Sequence, residues 1–385
     1  MSAAGDNVVE VLPARLYWIC TDSPPRGIPN AFYFNVDAEL RYAPFFADFG
    51  PVCIARVCWF ATELARVLQA AGNSGSVVYH QTATAAHARA NSAFIAGCFM
   101  IAQLGLGWEE TARRFEAVVP PFAPFRDASC GPCSHACTLR HCFRGFEHAL
   151  RAGLIDPPAF DARQYEFLEK AQNGDLTWIV PGKLLALSTP GERGSARCSL
   201  DLPGYIELFK RLGVGLVIQL NRSSYDTQAF AAAGVAHLDL SFPDGSTPSA
   251  DIINRFLDAV EGARGAVAVH CKAGLGRTGT LIAVYLMKHY RFCGSDAIAF
   301  LRIMRPGSIL GPQQHFLVHN QRLFWRLYSP LFRAATPEFA AFVQRLHDTD
   351  DCAAAPAPFD ALPPAEQRGQ GERLLRAKGL AAQTL

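Results

Sequence analysis

The sequence carries almost no net charge, because 36 Lys and Arg residues balance 34 Asp and Glu residues to a formal charge of +2. Proteins that bind polyanions usually carry a marked basic excess, so the composition gives no indication of a nucleic-acid or membrane-surface partner. Long apolar runs are also lacking. The most apolar stretch, 93–106, is interrupted by Gln103 and is shorter than the roughly twenty residues of a membrane span. We therefore predict a buried core helix there and no membrane span.

The first residues of the sequence show no charged segment followed by an apolar one, so no secretory leader is expected. Twelve cysteines would indicate a disulfide framework in a small secreted protein. Without a leader, and with the reactive thiol described below, the expectation is a reducing compartment, the cytosol or the nucleus.

A strand, a glycine-containing loop and a helix follow one another at 266–287. The apolar run 266–269 indicates a buried strand, a buried helix follows from Thr280, and glycines at 274, 276 and 279 let the loop between them curl. Backbone N–H groups and the helix N-terminus would then face one tetrahedral anion. We predict a phosphate-binding loop made of Lys272, Ala273, Gly274, Leu275, Gly276 and Arg277.

Cys271 gives this loop its chemistry. A helix N-terminus and nearby cations lower the pKa of a thiol from about 8.5 to roughly 3.5–7.5, so we expect a thiolate that attacks phosphorus. Arg277 offers a planar fork for two phosphoryl oxygens. Thr278 can offer its hydroxyl to the sulfur when the phosphocysteine is broken down, and His270 supports the nucleophile from the preceding position. The sequence thus predicts phosphoryl transfer through cysteine, with no metal and no cofactor.

Two other anion-binding loops share part of this pattern. The glycines at 274, 276 and 279 fit the dinucleotide fingerprint, but that site needs an acidic residue at the end of the next strand, and 295–304 indicates an amphipathic helix instead. The ATP-type loop needs Lys-Ser or Lys-Thr after its last glycine, which is missing here. A cysteine phosphatase is the favoured interpretation.

The length predicts two domains, since 385 residues exceed one typical domain. From Tyr205 to the helix after residue 279, helices and strands alternate, which is typical of an α/β fold with a mostly parallel sheet flanked by helices. An earlier strand, loop and helix within 76–106 repeat the order of the cysteine loop. Its loop, 79–85, has no cysteine, arginine or glycine. We expect a degenerate duplicate that no longer binds phosphate.

Asp244 is the candidate general acid. It follows the predicted strand 235–240, so it lies at the same sheet edge as Cys271, where ligands of such sheets bind. A serine or threonine leaving group needs a proton, which a positioned carboxyl supplies. The alternative role is a turn former before Gly245, with Thr247 capping the next helix and Pro248 at its first position. Farther on, Gln313 or Gln314 could orient the water that hydrolyses phosphocysteine.

Two further groups have weaker signals. The four cysteines at 130, 133, 137 and 142, with His135 and His141, invite a zinc interpretation, but Cys133, Cys137 and His141 would also share one helix face, so ordinary packing is favoured. Glu166 and Glu169 would share a helix turn, with Asp175 after it. On residue pattern alone, such carboxylates form a solvated face.

The motifs HCKAGLGRTGT (270–280), FPDGSTPS (242–249), RPGSILGPQQHF (305–316), PFRDAS (124–129) and NGDLTWIVPGK (173–183) together resemble the cell-division-cycle-fourteen dual-specificity phosphatases. The resemblance covers about 85–328. It implies two tandem phosphatase-like domains, an inactive one at 1–196 and a catalytic one at 213–330, with a linker helix at 197–212. It also implies Cys271 as nucleophile, Arg277 as phosphate binder, Asp244 as acid, and Gln313 or Gln314 at the water site.

By the same resemblance, Glu166, Glu169 and Asp175 form an acidic groove that selects a basic residue downstream of phosphoserine-proline. Such a trio gives electrostatic selection without a net acidic protein. The implied partners are phosphorylated proteins of mitotic exit and cytokinesis, in the nucleus, nucleolus, cytoplasm, centrosome, spindle pole or basal body. The oligomeric state stays open. Past residue 330, a short helix and a disordered tail are expected.

Two rival functions stay open. An inositol-lipid phosphatase has a similar loop but usually carries a second lysine, where Leu275 stands here. A scaffold could bind phosphoproteins through its first domain, with catalysis incidental.

Overall fold

The computed structural model describes residues 7–190, 200–222, 225–349, 373, 374 and 377. The chain divides into two compact units. The second unit includes Arg163 and the residues after it, so residues 163–190, which the sequence assigned to a first domain of 1–196, belong to the second unit. The first unit comprises Met1–Ala43, Phe49–Arg126 and Ala136–Ala162, and the second comprises Pro44–Asp48, Asp127–His135 and Arg163–Leu385.

The first unit is built on a four-stranded sheet with the order β1-β2-β4-β3. β1 and β2 form an antiparallel hairpin, whereas β4 is parallel to both β2 and β3. Trp18 is fully buried and donates its indole N–H to Ser92 Oγ. The elements are β1 (Val8–Leu12), β2 (Leu16–Cys20), β3 (Ala31–Phe34), α1 (Ile54–Ser74), β4 (Val77–Thr82), α2 (Ala86–Leu104), α3 (Trp108–Phe115) and α4 (Leu139–Arg151).

The second unit has a five-stranded sheet with the order β5-β6-β9-β7-β8, in which only the β5–β6 pair is antiparallel. The central strand β9 is buried on both faces, as its unbroken Ala and Val run predicts for a strand between helical layers. Both units confirm the predicted α/β class. The strands are β5 (Leu176–Val180), β6 (Leu184–Leu187), β7 (Val214–Gln219), β8 (Ala236–Asp239) and β9 (Ala266–His270).

Helices cover this sheet, and almost every residue of the helix after β9 is buried. The helix that was predicted as a linker contributes Tyr205, Leu208 and Phe209 to the core of the second unit. It is therefore part of this core. The helices are α5 (Ala162–Leu168), α6 (Leu202–Arg211), α7 (Gln228–Ala232), α8 (Ala250–Gly262), α9 (Gly276–Tyr290), α10 (Gly294–Met304), α11 (Pro312–Arg326), α12 (Pro330–Arg333) and α13 (Pro337–His347).

Two local predictions were wrong at helix starts. α8 is capped by Ser249, whose hydroxyl accepts from the Ile252 amide, so Thr247 is not the cap and Pro248 lies outside the helix. α4 begins after a capping box of Thr138 and His141, so Cys133 and Cys137 precede it and share no helix face with His141. For α8, a later hydroxyl with an extended backbone made the better cap.

The apolar stretch 93–106 lies largely in α2 and is mostly buried, as predicted. Within the described ranges, no helix combines the length and the apolar character needed to cross a bilayer. The predicted short helix after residue 330 corresponds to α13, preceded by one turn, α12. Most of the predicted disordered tail, and most of the predicted connection at 189–202, lie outside the described residues.

Candidate active site

Cys271 lies directly after the central strand β9, and α9 begins five residues later at Gly276. The predicted strand, loop and helix are therefore in place, and the nucleophile candidate lies at the carboxyl end of the middle strand, the usual ligand position in such sheets. Cys271 is only 3% exposed. The loop that follows it turns tightly at Gly274, whose φ of +67° favours glycine.

The electrostatic surroundings favour the thiolate. Burial raises the pKa of the Cys271 thiol, but the charge of Arg277 and the nearby polar groups of Thr278 lower it by more. The carboxylate of Asp244 acts in the opposite direction to Arg277. The net pKa lies below that of an ordinary thiol, which favours the thiolate form of Cys271.

Arg277 ties three segments to the cysteine loop. Its Nη1 donates to the carbonyl oxygens of Leu220 (2.9 Å) and Phe242 (2.8 Å), and its Nη2 lies 3.0 Å from Asp244 Oδ1. Its Nε is buried and has no hydrogen-bond partner among the described residues. An incoming phosphoryl group would satisfy this donor and compete with Asp244 for the guanidinium.

Asp244 lies on the loop after β8, with its side chain 29% exposed. A tight turn holds this loop, in which the Ser246 amide and hydroxyl both donate to the Pro243 carbonyl oxygen. Asp244 is therefore at the solvent side of the site while touching Arg277. A partly exposed carboxyl next to Arg277 is a candidate proton donor for a leaving oxygen.

His270 is fully buried behind the nucleophile. Burial lowers its pKa to about 3, so the ring is neutral. Nδ1 lies 3.4 Å from the Cys271 carbonyl oxygen, and Nε2 lies 2.7 Å from the hydroxyl of Tyr225, which also lies 3.0 Å from His237 Nε2. The His270 ring thus lies between the backbone of the cysteine loop and the hydroxyl of Tyr225. Tyr225 was not predicted from the sequence, since nothing local marks it.

The two glutamines have different surroundings. Gln313 donates to the Ser246 carbonyl oxygen of the acid loop (3.1 Å), and a Cβ atom on Gly276 would come within 2.9 Å of its amide oxygen. Gln314 instead accepts from Arg302 (2.6 Å) and donates to Asp127 Oδ2 (3.2 Å). Gln313 therefore lies between the phosphate loop and the acid loop, whereas Gln314 belongs to a buried polar network.

The predicted acidic trio divides into two parts. Glu166 on α5 and Glu169 just after it are exposed. Asp175 is buried, with its side chain 8% exposed, and its Oδ1 lies 3.0 Å from Arg305 Nη2. Glu166 and Glu169 thus both lie at the surface, whereas Asp175 pairs with Arg305 of the same chain. Arg305 was not predicted as a functional residue, although it opens one of the motifs that carry the resemblance.

The loop of the first unit repeats the active-site loop in position. Counting from His80 as from His270, Gln81 stands where Cys271 does, His87 stands where Arg277 does, and α2 begins at the residue that corresponds to Gly276. Carboxylates of the same unit accept hydrogen bonds from this loop. Asp37 accepts from Thr82 Oγ1 (2.7 Å) and the Ala83 amide (2.8 Å), and Asp22 accepts from the Thr84 amide (2.8 Å). This supports the interpretation of a degenerate copy.

The four cysteines of the predicted zinc alternative are not joined in disulfides. Cys137 and Cys142 are buried with their sulfurs 3.9 Å apart, while Cys130 and Cys133 are exposed. In the described part of the chain, no group of three or more His, Cys, Asp and Glu side chains could hold a metal ion.

Two family models match the chain. The family described as "Dual specificity protein phosphatase, N-terminal half" matches residues 10–149, and "Swiss Army Knife protein, DSP-PTPase phosphatase domain" matches residues 173–318. The gap between the matches contains the boundary between the two compact units at 162 and 163.

Named relatives extend this similarity over most of the chain. The dual specificity protein phosphatase CDC14B of Mus musculus is 41% identical over 355 residues, which are 90% of this chain and 73% of that protein. CDC14A of the same species is 43% identical over 84% of this chain and 54% of its own length. The tyrosine-protein phosphatase CDC14 homolog of Schizosaccharomyces pombe is 34% identical over 84% of this chain and 62% of its own length. The chain spans about half the length of CDC14A. These similarities confirm the resemblance in the motifs, and the chain belongs to the CDC14 family of dual-specificity protein phosphatases.

Proposed function

We propose that this chain is a cysteine-dependent protein phosphatase that hydrolyses phosphoserine-proline sites with a basic residue downstream, and also phosphotyrosine. One observation carries the chemistry: a buried thiol whose pKa is lowered lies beside Arg277, at the start of a loop that opens a helix. A thiolate held against an anion-binding loop is what an attack on a phosphate monoester requires.

The first step transfers the phosphoryl group to sulfur. The Cys271 thiolate attacks phosphorus while Arg277 binds two phosphoryl oxygens and stabilises the charge of the transition state. The bond from phosphorus to the leaving oxygen breaks, and Asp244 donates its proton to that oxygen. The products are the free hydroxyl amino acid and phosphocysteine.

The second step hydrolyses phosphocysteine and regenerates the Cys271 thiolate. The Asp244 carboxylate takes a proton from a water molecule that attacks phosphorus. We propose that Gln313 orients this water, and its position between Ser246 and Gly276 supports that choice over Gln314. The bond from phosphorus to sulfur breaks, inorganic phosphate is released, and Thr278 stabilises the departing thiolate.

The choice of substrate rests on Glu166 and Glu169. Both are exposed on the second unit, which also contains Cys271, so they offer negative charge to a peptide whose phosphate is bound. Leu275 is fully buried in an apolar cluster with Ala273 and Leu310, so the loop offers no second lysine for an inositol phosphate. These features favour a peptide over a phosphoinositide.

Two measurements test the proposal. Cys271→Ser should lose turnover and still bind phosphopeptide, and retained turnover would contradict the mechanism.

Malachite-green assays on a phosphopeptide library and on phosphoinositides should show higher kcat/KM for phosphoserine-proline peptides with downstream Lys or Arg. From membership of the CDC14 family we also propose that the substrates include cyclin-dependent-kinase sites, that the protein acts in mitotic exit, and that it is located in the nucleus or at the spindle pole. Rescue of a deletion by Cys271→Ser would favour the scaffold alternative.

A further inference from the structure

The carbonyl oxygens of the phosphate loop from Cys271 to Gly274 all accept hydrogen bonds from outside the loop. Thr189 donates its hydroxyl to the Cys271 carbonyl oxygen (2.9 Å) and its amide to the Lys272 carbonyl oxygen (3.2 Å). Arg305 continues the series with Nη2 3.4 Å from the Ala273 carbonyl oxygen and Nε 2.8 Å from the Gly274 carbonyl oxygen. Four consecutive peptide groups are thereby held by two residues.

The direction of these carbonyl groups fixes the direction of the amides. In a trans peptide unit the C=O and the following N–H point opposite ways. Carbonyl groups held toward Thr189 and Arg305 therefore turn the N–H groups of the next four residues toward the inside of the loop. That is the side on which an oxyanion binds, where preorganised donors are most effective.

The residues at the start of strand β5 in turn hold the Arg305 side chain. Its side chain is 4% exposed, its Nη1 donates to the Asp175 carbonyl oxygen and to Thr177 Oγ1 (3.0 Å each), and Asp175 Oδ1 lies 3.0 Å from Nη2. A buried guanidinium needs such a partner, because an unpaired charge is costly inside a protein. Asp175 has a φ of +50°, a conformation in which Asp and Asn are the best tolerated residues after glycine.

We propose that Asp175, acting through Arg305, and Thr189 are positioning residues that set the amide groups of the phosphate loop. The inference rests on the proposed function only in that the loop binds a phosphoryl group. On this proposal, Asp175 holds Arg305 and thereby orients the loop amides in every turnover, whatever the peptide sequence. A carboxylate that only selects basic peptides would not affect the orientation of the loop amides.

Asp175→Asn is the informative variant, because it removes the charge and keeps both the favoured backbone conformation and the carbonyl acceptor. Asp251→Asn is the matched control. Asp251 is an exposed carboxylate on α8 that also pairs with an arginine, since its Oδ2 lies 3.7 Å from Arg255 Nη1. The readouts are the Kd for tungstate, kcat and KM on phenyl phosphate, the pH midpoint of Cys271 alkylation, and Tm without anion.

We expect Asp175→Asn to weaken tungstate binding about 10-fold and to lower kcat on phenyl phosphate by about 10- to 100-fold, because small misplacements of catalytic groups carry losses of this size. Asp251→Asn should match wild type in each readout. Unchanged tungstate binding and kcat, with a loss confined to basic phosphopeptides, would overturn the proposal.

A second variant covers the case in which Asp175→Asn fails to fold. Thr189→Val keeps the shape and removes one donor, and the same direction of change is expected from it. Wild-type tungstate affinity in Thr189→Val would count against the proposal. Tungstate binding involves no turnover, so a chain that binds it but hydrolyses no phosphopeptide would refute the proposed function and leave this inference standing.

Discussion

At the scale of single residues, the balance of charges around one sulfur determines the chemistry. Burial alone would raise the pKa of Cys271, and Arg277 is the largest influence in the other direction. We predict that Arg277→Ala raises the pH midpoint for alkylation of Cys271 by iodoacetamide above that of wild type. The thiolate is present above this pKa and is lost as pH falls through it, so kcat/KM should fall on the acid side.

The control for this titration is Arg255→Ala, which removes an exposed cation on α8 in the same unit. It should leave the midpoint where wild type has it. An Arg277→Ala midpoint equal to that of wild type would show that the guanidinium does not set the ionisation of Cys271.

The role of Asp244 depends on the leaving group. Asp244→Asn removes the proton donor, so kcat on a phosphoserine peptide should fall by about 10²–10⁴-fold. The loss on nitrophenyl phosphate should be much smaller, because that leaving group needs little protonation. Equal losses on both substrates, measured by steady-state kinetics, would speak against Asp244 as the acid.

Residue identities and spacing were enough to predict that Cys271, Arg277 and Asp244 lie at one edge of the sheet, because these residues come with their own local motifs. The burial of Asp175 could not be predicted in this way. Its partner Arg305 is 130 residues away in the sequence, and the choice between an exposed and a paired carboxylate is made by tertiary packing.

At the scale of secondary-structure elements, the turn between β9 and α9 requires glycine at 274. A Cβ atom there would lie 2.1 Å from the Leu187 carbonyl oxygen of β6. We predict that Gly274→Ala lowers kcat/KM by about 10²-fold or more, because the loop must move away from its productive geometry.

Gly213→Ala is the matched control for that substitution. Gly213 has nearly the same φ, +69°, but a Cβ atom there would have nothing within 4 Å of it, so only the conformational cost of about 1–2 kcal/mol applies. The substitution should lower Tm and leave kcat/KM unchanged. Equal effects of the two substitutions on kcat/KM would contradict the steric argument.

The strand, loop and helix around Cys271 followed from local patterns, since an apolar run, three glycines and a second apolar run each restrict the backbone directly. The bounds of α4 and α8 did not, because several hydroxyl groups stood near each helix start and the sequence does not show which has the extended backbone of a cap.

At the scale of the whole molecule, two loops have corresponding positions but different residues. The first unit has Gln81 and His87 where the second has Cys271 and Arg277, and its loop amides already donate to Asp22 and Asp37. We therefore predict that calorimetric titration of the full chain with tungstate gives one anion per chain and that Arg277→Ala abolishes this binding. Two equivalents in wild type would contradict the assignment of the first loop.

The presence of two units was predictable from length, but the boundary was not. Strands β5 and β6 come before the alternating pattern begins at Tyr205, and their membership in the second sheet is decided by pairing of β6 with β9, about 80 residues away. Sequence periodicity does not show such pairings.

The most direct test of transfer through cysteine is to trap the covalent species. Wild-type enzyme turning over a phosphoserine-proline peptide is quenched in acid, and the proteolytic peptide containing Cys271 is analysed by mass spectrometry. We predict a phosphoryl group on the Cys271 sulfur, and its absence from the Cys271→Ser variant. Rapid turnover with an unmodified Cys271 at every quench time would contradict the proposed mechanism.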